Sequence, residues 1–148
     1  MKKIARFCAV FLAAAAVLAF SGCSARTAVS ADGFQERAKS AGYTVAAVTD
    51  DNSLADKVLS AKKNGTDVEI RYYSFKTADS AINWYSTEKD NLPEDGKTVV
   101  DSDAYNKYTV SNGEIHYMII RMDNTGILCK TTLQNESEAD SFVKSLKY

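Results

Sequence analysis

The 148-residue sequence predicts an α+β fold: a single antiparallel sheet of about five to six strands with helices packed on it, in the order α-β-β-β-α-β-β-β-α. Three observations point there. Runs alternating apolar and polar residues with period two recur along the chain, separated by short Asn-Gly and Asp-Asn turns. Other runs place apolar residues three and four apart behind a capping residue, which is the helical period. The strand-like runs come in two consecutive groups divided by one helical run, a pattern of α+β folds rather than of strictly alternating ones.

Taken in order, the first element is a helix from Asp32, with Asp32 as its cap, Phe34, Ala38 and Ala41 on one stripe, and Gly42 as the stop. "YTVAAV" follows as a short strand. The segment "SLADKVLSAKKNGTDVEIRYYSF" admits two readings. Leu54, Val58 and Leu59 behind Ser53 suit a helix, whereas Asn64-Gly65 between extended runs is a hairpin signal of the type I′ kind. The hairpin is favoured, with strands near 56–63 and 66–75. Val68, Ile70 and Tyr72 then share one face, and Glu69, Arg71 and Tyr73 the other.

"KTADSAINWYSTEKDNLP" turns to helical period. Thr77 caps it, Asp79 favours its first turn, Ala78, Ala81, Ile82 and Tyr85 make the buried stripe, and Pro93 ends it. "EDGKTVVDSDAYN" is a polar connection with room for a short strand at 97–100. From Lys107 the chain predicts a three-stranded meander: "NKYTVS", a second type I′ turn at Asn112-Gly113, "EIHYMIIRM", the turn "DNTG", then "ILCKTTL". The middle strand is apolar on both faces, Ile115, Tyr117 and Ile119 against His116, Met118 and Ile120, which places it at the sheet centre. A last helix opens with Asn135 and Glu138 in capping-box spacing and buries Ala139, Phe142, Val143 and Leu146.

The N-terminus belongs to a different physical regime. Lys2, Lys3 and Arg6 precede an unbroken apolar run of 14 residues, Phe7 to Phe20. As a helix that run covers roughly 21 Å, short of the ~30 Å hydrocarbon core, so it suits a signal peptide better than a membrane span. "FSGC" then sets Ser21 and Gly22 before Cys23, an arrangement that resembles the lipobox of bacterial lipoproteins, with Phe20 where most members carry Leu. The resemblance implies cleavage before Cys23 and a diacylglyceryl group on its thiol. Residues 1–22 are thus expected to be a lipoprotein signal peptide, 23–31 a lipid-anchored tether, and 32–148 one domain on the extracytoplasmic face of the cell membrane. The competing expectation is plain secretion with cleavage after Ala25.

Without Lys2, Lys3 and Arg6, the 18 basic residues fall to 15 against 19 acidic ones, a net charge near −4. That charge gives no footprint for nucleic acid. It gives no polybasic run for anionic lipid either, so membrane association is assigned to N-terminal acyl chains. With Cys8 in the leader and Cys23 acylated, Cys129 has no disulfide partner, and its place in "GILCKTTL" reads as a buried small hydrophobe.

Reaction chemistry is poorly supplied. One histidine and one free cysteine do not make a zinc site, and "DSDAYN", with Asp101, Asp103 and Asn106, departs from a calcium loop at its Gly and Glu positions; no metal and no cofactor is expected. Ser60/Lys63 and Ser141/Lys144 match S-x-x-K without the accompanying S-D-N and K-T-G elements. The glycines form neither a P-loop nor a dinucleotide fingerprint. Aromatic residues off the main apolar stripes are the best lead, and Tyr73, Trp84, Tyr105 and His116 are expected to form a binding surface.

The phrases "AGYTVAAVTD", "VEIRYYSFKTADSAINWY" and "YNKYTVSNGEIHYMIIRMDNTGILCK" together resemble a group of small uncharacterised envelope lipoproteins and secreted domains of Gram-positive anaerobes. That resemblance implies a fold and a location and carries no activity with it. The expected function is a non-catalytic, lipid-anchored envelope protein that binds another envelope component, protein or glycan. Two alternatives stand beside it: a small envelope hydrolase or enzyme inhibitor using acids of the 94–103 loop, and a structural spacer without a specific ligand.

Overall fold

The computed structural model describes residues 26–49 and 54–148. The expected signal peptide, Cys23 and the candidate helix cap Ser53 lie outside the described residues. Seven strands form one antiparallel sheet: β1 (Tyr43–Ala47), β2 (Lys57–Lys63), β3 (Glu69–Ser74), β4 (Lys97–Asp101), β5 (Tyr105–Asn112), β6 (Ile115–Met122) and β7 (Thr125–Thr132). Their spatial order is β1-β2-β3-β7-β6-β5-β4. Two meanders, β1 to β3 and β4 to β7, therefore meet where β3 pairs with β7. Helices α1 (Ala31–Ser40) and α3 (Glu136–Ser145) cover one face, and α2 (Ala78–Asp90) covers part of the other.

The strand count is one above the expected range. The extra strand is β4, which occupies the 97–100 stretch and pairs with β5 through a register shift between Thr98 and Val100. A bulged strand with one neighbour needs little apolar alternation, and this one is exposed along most of its length. The hairpin reading of 53–75 holds and the helical one does not. Its turn differs from type I′: φ is positive at Gly65 but not at Asn64, and Thr66 N donates to Lys63 O, the pattern of a type II turn in a four-residue loop. At the second hairpin Asn112 pairs with Ile115, so the two turn residues are Gly113 and Glu114, with positive φ at Gly113 alone.

Caps also shift. Ser30, not Asp32, caps α1, accepting from Gly33 N at 3.1 Å, and Asp32 sits in the first turn. Thr77 caps α2 as expected. Asn135 precedes α3 without capping it, because its amide donates to Asp67 Oδ1 instead. Asp67 gathers that bond, the Thr132 N–H at 2.6 Å and the Thr132 hydroxyl at 3.1 Å, fastening the β2–β3 loop to the start of α3. The Asn135 bond leads in holding the Asp67 carboxyl below its ordinary range, burial opposes it, and the two Thr132 bonds add to it. A depressed folded pKa stabilises above the unfolded value near ~3.9, and that stability is lost as pH falls through the folded value. Asp67→Asn is expected to lower stability at pH 7 by no more than about 1 kcal/mol, since the exposed site is screened by solvent. In urea titrations the difference from wild type should close as pH falls below about 4.

Two cores result. Phe34, Leu59, Ile70, Tyr72, Met118, Ile120, Ile127, Cys129, Phe142 and Val143 fill the α1/α3 side. Val58, Tyr73, Phe75, Trp84, Tyr85, Tyr108 and Ile119 fill the α2 side. Val29 is buried and Tyr72 Oη donates to its carbonyl at 2.9 Å, so the packed domain starts before residue 32. Among the described residues no helix is long and apolar enough to cross a membrane.

Candidate functional site

The residues expected to form a binding surface are largely inside the molecule. Tyr73 is 1% exposed, Trp84 4% and His116 4%. Tyr105 is half-buried, with the Arg26 guanidinium 4.9 Å over its ring. Tyr73 and Trp84 pack ring against ring at 4.6 Å under α2. The helix is turned so that Ala81, Trp84 and Tyr85 face the sheet, while Ala78 and Ile82, expected in the stripe, are exposed. The cause is Gly126 on β7: a Cβ there would lie 2.2 Å from Trp84 Cζ3, so the bare backbone forms the slot that admits the indole. His116 lies on the opposite face of the sheet.

Around His116, Ser111 Oγ is 3.2 Å and Glu136 Oε1 3.4 Å from the same ring nitrogen, Nδ1. Nε2 is buried without a hydrogen-bond partner. A relay needs the hydroxyl and the carboxylate on different nitrogens, so these three side chains do not make a nucleophilic triad. Cys129 is fully buried, and burial pushes its thiol up to about 12, far from a reactive thiolate. Ser60 and Lys63 point to opposite faces of β2, Ser60 bonding Glu69 and Lys63 pairing with Glu138 at 3.1 Å. Ser141 Oγ donates to Ser137 O within α3.

The acidic 101–106 loop is organised by an internal cation. Arg121, 2% exposed, donates from Nε to Asn106 Oδ1 at 2.7 Å, and from Nη2 to Ser102 O at 3.1 Å and Asp103 O at 2.7 Å. Asn106 in turn donates to Asp101 Oδ1 at 2.7 Å. The guanidinium thus takes the carbonyls that a bound cation would use. Among the described residues no group of three or more His, Cys, Asp or Glu side chains converges as metal ligands would.

Of the concave surfaces among the described residues, two combine features that suit a ligand. The first is a groove of about 280 Å³ between the C-terminal end of α2 and strands β3, β6 and β7. Tyr117 and Leu128 form its floor; Glu69, Arg71, Glu88 and Lys130 stand on its rim. Pairing fixes this arrangement, since Glu69 lies opposite Lys130 and Lys130 opposite Tyr117, with Arg71 opposite Leu128 one row on. Lys130 Nζ stands 5.8 Å over the Tyr117 ring, and Arg71 Nε donates to Glu69 Oε1 at 3.0 Å. Burial raises the Glu69 carboxyl, but Arg71, Ser60 and Lys62 together outweigh it and leave the carboxyl below its usual range. A general acid near neutral pH would need the opposite shift.

The second is an open cleft of about 830 Å³ between the 26–30 segment, α1 and the end of α3, lined by Arg26, Arg37, Lys144 and Lys147. The sequence showed no polybasic run because these cations are spread from residue 26 to residue 147; only the fold collects them.

No protein-family profile and no curated protein matches the chain. The structure is similar to a solved structure from Thermotoga maritima described as a GTP binding regulator, with a TM-score of 0.56 and 12% identity over 80% of this chain and 84% of that one. At that identity the likeness establishes a shared α+β fold across most of both chains.

Proposed function

We propose that this chain is a non-catalytic, lipid-anchored envelope module that holds a segment of another envelope protein in the groove beside the end of α2. The observation that carries the reading is the groove itself: an apolar floor of Tyr117 and Leu128 inside a rim bearing both charge signs. Such a site accepts an apolar side chain and pairs the flanking charges of a peptide. Only one aromatic ring lines it, which suits a peptide side chain better than a sugar. The low carboxyl of Glu69, the inert Cys129 and the misaligned Ser111, His116 and Glu136 support the non-catalytic part. The GTP binding of the structural neighbour is not adopted for this chain, whose described glycines serve as turns and packing slots rather than as a phosphate cradle.

A photo-crosslinking residue placed at Lys130, on the groove rim, is expected to yield one discrete crosslinked protein in cells. Leu128→Asp in the same chain should reduce that yield at least tenfold, and the same crosslinker at the exposed Leu133 should not give it. Equal products from both positions, or a product indifferent to Leu128→Asp in a folded chain, would contradict the reading. A glycan in place of a protein would contradict only the choice of partner.

A further inference from the structure

The basic cleft is a second feature, separate from the groove and on the other side of the sheet. Among the described residues none of Arg26, Arg37, Lys144 and Lys147 has an ion-pair partner. Two acids of α1 and α3 are directed elsewhere, Asp32 pairing with Lys57 at 3.6 Å and Glu138 with Lys63 at 3.1 Å, while Asp140, one turn before Lys144 on α3, acts on the neighbouring Lys107. Arg37 Nη1 donates to Ser145 O at 3.2 Å, and Arg26 lies over Tyr105, so both guanidinium groups are held in place rather than free to spread apart. A fifth cation, Lys107, stands close by. Burial lowers its pKa first, Asp140 opposes that, and Lys144 and Arg26 lower it further, as expected where positive charges are crowded together. In a domain whose net charge is near −4, four unpaired cations in one concavity are a local inversion of the field.

Its position supplies the partner. Arg26 is three residues from Cys23, roughly 10 Å of fully extended chain, which is about one Debye length. A chain tied to a bilayer at Cys23 therefore carries this cleft within electrostatic range of the headgroups. We infer that the Arg26, Arg37, Lys144 and Lys147 cleft docks on anionic phospholipid headgroups and sets the orientation of the domain on the membrane. Each basic side chain at an anionic surface favours the docked state about fivefold. Docking by this face turns the groove beside α2 away from the bilayer, since the two lie on opposite faces of the sheet. The inference rests on the anchored reading for its tether length, and the experiment separates the two.

The full chain, purified as cells process it, is mixed with vesicles of phosphatidylcholine alone or of phosphatidylcholine and phosphatidylglycerol at three to one, and its lysines are acetylated for a fixed time. With phosphatidylglycerol present, Lys144 and Lys147 are expected to react at least fivefold more slowly, while Lys62 and Lys76, exposed elsewhere, react at the same rate in both. The Arg26→Gln/Arg37→Gln double variant should lose most of that protection, as should 0.5 M salt. Equal rates on both vesicles, uniform slowing of all four lysines, or equal protection by millimolar inorganic phosphate on phosphatidylcholine alone would each overturn the inference. The mass of the N-terminal peptide reports Cys23 independently. An unacylated chain whose Lys144 and Lys147 are still protected would sink the anchor and leave the cleft standing, and an acylated chain without protection would do the reverse.

Discussion

Arg121→Met is expected to cost about 3 kcal/mol or more of unfolding free energy and to release the 101–106 loop. The methionine keeps the aliphatic bulk of the side chain and removes every donor. Lost with them are the bonds to Asn106 Oδ1, Ser102 O and Asp103 O, each made by a charged donor and each worth about 1.5 to 3 kcal/mol before the loop re-solvates. Ser102 and Asp103 are exposed, so water recovers part of their loss, and the expected figure lies well below the sum. Arg121→Lys retains the charge but offers a point donor in place of a planar fork, so it should fall between the two. Urea unfolding gives the magnitude, and limited proteolysis should show new cleavage between Asp101 and Asn106. A loss under 1 kcal/mol, with the loop still resistant, would mean that these contacts are incidental to the fold.

The second large effect is at Gly126. An added methyl would sit 2.2 Å from Trp84 Cζ3 and 2.6 Å from Cη2, closer than carbon atoms can approach. The indole has no direction in which to yield, because Tyr73 lies 4.6 Å away and Phe75 5.5 Å away, centroid to centroid. Gly126→Ala is therefore expected to destabilise by about 3 kcal/mol, at the upper end of overpacking. Trp84→Ala alone should cost about 3 to 5 kcal/mol through the cavity it leaves. The two share one space, so the double variant should cost at least 1 kcal/mol less than the sum of the singles. Thermal or urea unfolding of the four chains measures that coupling. Strict additivity would show that Gly126 is needed for some reason other than the indole.

Trp84 and Gly126 also mark the limit of what local sequence encodes. The hairpins, the end of α1 and the start of α2 were legible because each has a local cause: period-two alternation, Gly65 and Gly42 where the chain turns, and Thr77 where α2 begins. Trp84 was not, since its burial depends on a missing Cβ on β7, and no feature near residue 84 reports that. Tyr73 was misplaced for a related reason. It lies off the main apolar stripe, on the face opposite Ile70 and Tyr72, yet β6 is apolar on both faces, which already requires cover on the second face and hence burial of whatever shares it. His116 was placed on its strand face correctly, but α3 closes over that face through Glu136. β4 showed only as room for a short strand at 97–100 within a polar connection, because a bulged edge strand needs no apolar face. The groove and the basic cleft both depend on register and on distant chain segments meeting. Neither Lys130 beside Tyr117 nor Arg26 beside Lys144 can be inferred from spacing.

The anchored, extracytoplasmic reading turns most directly on the N-terminal peptide of the chain recovered from the membrane fraction of its own cells. Mass spectrometry of that peptide is predicted to find Cys23 as the first residue, carrying a diacylglyceryl thioether. A chain starting at Arg26 without lipid, or one retaining residues 1–22, would contradict it.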